Sequence, residues 1–89
     1  MGHTAGSLPA ITGRQLMRLL LLDGWELVRR APHGRFYAKT LPDGTRIHAT
    51  VPDKTRPLKP GTLSAILGLQ QTGLGRAGLA ALIAQHGRK

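Results

Sequence analysis

The sequence predicts an α+β fold in the order α-β-β-β-α-α: a three-stranded antiparallel sheet with helices on one face. Three observations carry this reading. Apolar residues recur at helical spacing near both ends of the 89-residue chain. The stretch from Trp25 to Val51 divides into three runs of strand composition separated by short turn signals. Strands in sequence joined by such turns pair antiparallel, and helices on either side of them pack on one face of the sheet.

Residues 1–10 read as a flexible lead, and 11–87 as one domain. Thr12 is a candidate N-cap. Leu16, Leu19, Leu20 and Asp23 then follow i, i+3, i+4, i+7 spacing, and Gly24 offers a stop, so a first helix is expected over 13–23. Trp25-Glu26-Leu27-Val28-Arg29-Arg30 is the first strand, and Ala31-Pro32-His33-Gly34 breaks it. Arg35 to Leu41 is the second strand and Thr45 to Val51 the third, with Pro42-Asp43-Gly44 between them.

Asp-Gly suits a two-residue type I′ turn. With that turn Phe36 faces Val51, Ala38 faces Ala49 and Thr40 faces Ile47, giving one apolar face. Arg35, Tyr37, Lys39 and His48, with Arg46 nearby, would share the other. A loop of proline and charge follows from Pro52 to Pro60. Thr62 is expected to cap a second helix that buries Leu63, Ile66, Leu67 and Gln70. Thr72-Gly73-Leu74-Gly75 interrupts it. A third helix over 76–86 carries Leu79, Leu82, Ile83 and His86 on one face.

Charge narrows the function classes. Thirteen Lys and Arg stand against four Asp and Glu, a formal net charge of +9. A basic domain of this size meets nucleic acid, an anionic membrane surface or an acidic protein. There is no cysteine, which removes disulfides, thiolate chemistry and cysteine-based zinc sites and fits a cytoplasmic address. No run approaches the ~20 apolar residues that cross a bilayer. The glycines at 68, 73, 75 and 78 lack the Gly-Lys-Ser/Thr of a phosphate loop. Asp23, Glu26, Asp43 and Asp53 are too scattered to suggest a metal cluster, so no metal or cofactor is expected.

His33 is the candidate for chemistry. Imidazole exchanges protons near neutral pH, and Arg30 and Arg35 on either side could hold a phosphate. Chemistry on a phosphodiester needs proton transfer and cations for the charge that develops on phosphorus. In the expected register Tyr37 among Arg35, Lys39, Arg46 and His48 would stack bases while the cations meet phosphates. Lys54, Arg56 and Lys59 add electrostatic footprint. His48, six residues beyond His33 in that register, is roughly 20 Å away along the strand and too far to form a direct pair. His86 reads as a surface group at a helix end, and His3 lies in the lead.

These residues resemble the HicA toxins of bacterial HicA–HicB toxin–antitoxin pairs. The likeness runs from Ile11 to about Ile83. It rests on a helix ending in Leu22-Asp23-Gly24-Trp25, the strand into His33, Phe36 three residues on, and Lys59-Pro60-Gly61-Thr62-Leu63-Ser64-Ala65-Ile66-Leu67. It implies a fold like the double-stranded-RNA-binding domain, an mRNA-cleaving activity, and an antitoxin of the HicB type as partner. The family's catalytic histidine carries over to His33. Here Ala31-Pro32 replaces the usual Gly-Ser, Gly34 stands where a second His is common, and Pro52-Asp53-Lys54 stands where many members carry a further His. The expectation is a divergent, metal-independent endoribonuclease toxin with one catalytic histidine. The alternatives are a non-catalytic RNA-binding module of the same fold and a basic protein-interaction domain.

Overall fold

A computed structural model describes residues 10–87. The rest of the expected lead, with His3, lies outside the described residues. The elements are α1 (Gly13–Leu22), β1 (Glu26–Ala31), β2 (Gly34–Thr40), β3 (Arg46–Pro52), α2 (Pro60–Leu67) and α3 (Gly75–His86). The strands form one antiparallel sheet in the order β1-β2-β3. The expected α+β order and architecture are what the chain forms.

Helix α1 begins where the sequence provides a cap. The Thr12 hydroxyl accepts from the Gln15 N–H at 3.0 Å, and the Gln15 side chain accepts from the Thr12 N–H at 2.9 Å. Two of the helix's unpaired N–H groups are satisfied by this reciprocal pair. Leu16, Met17, Leu19 and Leu20 are buried. They meet Trp25 just before β1, Tyr37, Ala49 and Val51 from the sheet, and Leu63, Ile66, Leu67, Leu79 and Leu82 from the other helices. The core therefore lies between the sheet and the three helices.

Helix α2 starts three residues earlier than expected from a cap at Thr62. Lys59 is its N-cap and Pro60 its first residue, because proline's fixed φ suits that position. Gly68 ends the helix, so Gln70 falls outside it and is exposed rather than buried. The turn that follows is held by Thr72, whose buried hydroxyl donates to the Ile66 carbonyl at 2.8 Å.

The β2–β3 register differs from expectation by one residue. Gly44 N–H donates to the Leu41 carbonyl at 2.9 Å, and Leu41 N–H donates to the Thr45 carbonyl at 2.7 Å. Gly44 has φ +91° and Asp43 does not have positive φ, so a type I′ turn, which needs both, is excluded. Pro42-Asp43-Gly44 is instead a three-residue loop ending in a left-handed glycine. Tyr37 now pairs with Ala49, Ala38 with His48 and Lys39 with Ile47. A one-residue slip exchanges the faces of the sheet. Arg35, Tyr37 and Lys39 lie on the helix side, and Phe36, Ala38 and Thr40 on the open side with Arg46, His48 and Thr50.

The β1–β2 pairing slips between Leu27 and Arg29. Val28 is the extra residue and is exposed. The bulge keeps Leu27 opposite Tyr37 on the helix side, yet places Arg29 opposite Phe36 on the open side and Arg30 opposite Arg35 on the helix side.

Candidate nucleic-acid interface

His33 occupies a two-residue turn with Pro32. Ala31 and Gly34 close the hairpin beneath it. Neither Pro32 nor His33 has positive φ, so neither primed turn type forms here. The imidazole-bearing residue is exposed, and its carbonyl accepts from the Asp53 N–H at 3.4 Å. Asp53 also accepts from the Arg14 guanidinium at 2.9 Å. That hydrogen bond, with Arg14 and Arg35 charge added, holds the Asp53 carboxyl below its ordinary 3.8. The turn is thus tied through the β3–α2 loop to the first residues of α1.

Two glycines allow this approach. A Cβ on Gly34 would sit 2.6 Å from the Val51 carbonyl oxygen, and one on Gly13 would overlap the carbonyl oxygen of Pro52. Both positions lack room for a side chain because α1, the hairpin and the end of β3 converge beside His33.

The next pair below the turn is Arg30 opposite Arg35. Both lie on the helix side, where α1 leaves an open cleft of about 410 Å³ beside the hairpin. Arg14, Arg18, Arg30 and Arg35 rim it, over Met17, Leu21, Leu27 and Tyr37. The Arg35 guanidinium is 3.2 Å from the Met17 sulfur. Tyr37 is only 2% exposed, and burial pushes its hydroxyl above the ordinary 10.0 while the charges of Arg35 and Arg30 pull it down. Its ring is part of the core and a wall of this cleft, so the stacking platform expected from the sequence does not form. The misplaced register is the cause.

The other expected contacts separate. Lys39 is on the helix side and pairs with Asp23 at 3.1 Å. Arg46 is on the open side, paired with Glu26 at 3.3 Å and bonded to Thr40 at 3.0 Å. His48 is exposed on that open side opposite Ala38, five residues and roughly 17 Å along the strand from His33. Lys54, Arg56 and Lys59 are exposed in the loop and at the start of α2, around a second cleft of about 320 Å³. His86 is the last residue of α3. The expected single basic face is therefore two: one with Arg30 and Arg35 below His33, one with Arg46 and His48.

Sequence reasoning missed three residues that the fold brings into play. Arg14 and Arg18 are four residues apart, a spacing that puts them on one helix face and is the signal that could have found them. Arg29 lies 4.7 Å over the Phe36 ring, an aromatic that was expected in the core.

Residues 13–74 match the family described as HicA toxin of bacterial toxin-antitoxin. The chain belongs to the HicA toxin family. The match covers α1, the whole sheet and α2, so every element around His33 is inside it. Membership makes this HicA chain the toxin of a toxin–antitoxin system and implies an antitoxin partner. No curated protein and no solved structure matches the chain. Among the described residues no helix is long and apolar enough to cross a membrane.

Proposed function

We propose that this HicA protein is a metal-independent endoribonuclease that cleaves mRNA in the cytoplasm, with His33 as its catalytic residue. The observation that carries this reading is the exposed His33 turn set directly above the Arg30–Arg35 pair. Two arginines opposite each other repel, an arrangement that costs stability on its own. An anion between them removes that cost, and a phosphodiester held there would lie beside the histidine.

The reaction follows from these groups. The 2′-oxygen of the RNA attacks the adjacent phosphorus and forms a new O–P bond. Its proton passes to a base, the bond from phosphorus to the 5′-oxygen breaks, and that oxygen takes a proton from an acid. His33 supplies one of these transfers, and Arg30 and Arg35 stabilise the charge on the phosphorane. The products are a 2′,3′-cyclic phosphate and a 5′-hydroxyl. Lys54 and Lys59, and Arg46 and His48 on the open side, add long-range attraction for the polyanion. An antitoxin of the HicB type would silence the enzyme by covering His33 and the arginines.

Incubation of the full chain with an mRNA in EDTA tests this. Cleavage that leaves cyclic phosphate ends, and falls about 10²–10⁴-fold in His33→Ala, supports the assignment. Equal cleavage by both proteins removes His33 from the mechanism. Binding without cleavage would leave an RNA-binding module.

A further inference from the structure

We infer that the cleft between α1 and the β1–β2 hairpin is the track for the phosphodiester backbone of the RNA, with Arg18 and Arg30 as exposed cations that hold it. This rests on the reading that the substrate is RNA, and it adds a binding groove formed by a helix that no catalytic role requires.

Arg14 and Arg18 are one helical turn apart on α1, roughly 6 Å along the axis. Arg30 and Arg35 are directly opposed across the hairpin. Each is a like-charge pair at a spacing that destabilises its own element. The two pairs rim one cleft. Of the four acidic residues in the chain, Asp23 is paired with Lys39 and Glu26 with Arg46, while Asp43 bonds the N–H of Thr45 in its turn. The fourth, Asp53, pairs with Arg14, one of the four arginines that line the cleft. Among the described residues, Arg18, Arg30 and Arg35 have no carboxylate partner. A cleft lined by four arginines, of which only Arg14 has a carboxylate partner among the described residues, lacks its counter-anion.

The shape favours a nucleic-acid strand over an acidic protein segment. The Arg30–Arg35 pair is the last before the closing pair of the hairpin, so a strand lying in the cleft leads to His33 without leaving the surface. Forked guanidinium groups suit phosphate oxygens. Met17, Leu21, Leu27 and Tyr37 give an apolar floor on which sugars can lie.

The test uses a fluorescent 2′-O-methyl oligoribonucleotide, which lacks the attacking hydroxyl and so reports binding alone. Arg18→Gln, Arg30→Gln and the double variant are compared with the full chain and with Arg76→Gln, which removes one charge from α3. Arg18, Arg30 and Arg76 are all exposed, so the fold is not at stake. The double variant should bind at least tenfold more weakly. Its slope of log affinity against log salt should flatten by about 0.7 per arginine removed, with Arg76→Gln close to the unsubstituted chain. Equal effects of the cleft and control variants, or no binding by the unsubstituted chain, overturn the proposal. So does unchanged RNA binding with loss of antitoxin binding, which would make the cleft a protein dock. Cleavage of unmodified RNA by His33→Ala is scored separately. RNA that is held through Arg18 and Arg30 but never cut would retire the nuclease reading and leave the track standing.

Discussion

His33 itself makes few contacts, and its setting comes from small neighbours. Gly13 and Gly34 let α1 and the hairpin close on Pro52 and Val51. Alanine at a helix position is ordinarily favoured over glycine by about 1 kcal/mol. At Gly13 the overlap with the Pro52 carbonyl reverses that preference. Gly13→Ala is expected to lower stability by about 1–3 kcal/mol, the range for forced overpacking, measured as a shift in urea midpoint at constant slope. Tyr37 gives a second prediction at this scale. Burial raises its pKa above 10.0, so the folded state favours the neutral phenol. Its contribution is complete below about pH 10 and is lost as pH rises beyond that value. As pH rises above about 10, the parent should lose more stability than Tyr37→Phe, read from denaturant midpoints. Asp53 has the opposite sign. The Arg14 hydrogen bond lowers its pKa below 3.8, so its contribution is present above about pH 4 and fades as pH falls further.

At the scale of elements, the sequence was most readable where a local signal had one structural outcome. Thr12 marks the start of α1 in the sequence, and the expected cap is present, with Gln15 completing a reciprocal pair that only the structure shows. Thr12→Ala should therefore cost about 1 kcal/mol, checked by thermal or urea unfolding. The order of strands and helices followed from hydrophobic period and turn residues. The face of each strand did not, because Pro42-Asp43-Gly44 admits loops of two or three residues. A difference of one residue moves Tyr37 from an open surface to the core. Proline at the first loop position favours the longer loop, since its φ suits the type I turn that precedes a left-handed glycine. The bulge at Val28 was equally hidden, because Glu26 to Ala31 has no glycine to mark it. His33 was legible as a titratable residue between arginines. The cleft was not, since Arg14 and Arg18 join Arg30 and Arg35 only once α1 is laid on the sheet.

The whole molecule carries +9 on 89 residues, with its few carboxylates engaged in pairs and a turn. Attraction for RNA should therefore be long-ranged and strongly salt-dependent, and log affinity should fall linearly with log salt. Family membership implies an antitoxin partner, and on the proposed reading that partner would offset the same field that draws RNA. Charge placement also divides the labour. His33 at the hairpin tip is assigned to proton transfer, and the arginines beneath it to holding the strand. Single-turnover cleavage of an RNA in EDTA, followed across protein concentration for the parent and His33→Ala, separates the two roles most directly. His33→Ala should keep the parent's half-saturating concentration while its limiting rate falls about 10²–10⁴-fold. A His33→Ala protein that reaches the parent's limiting rate would overturn the role of His33.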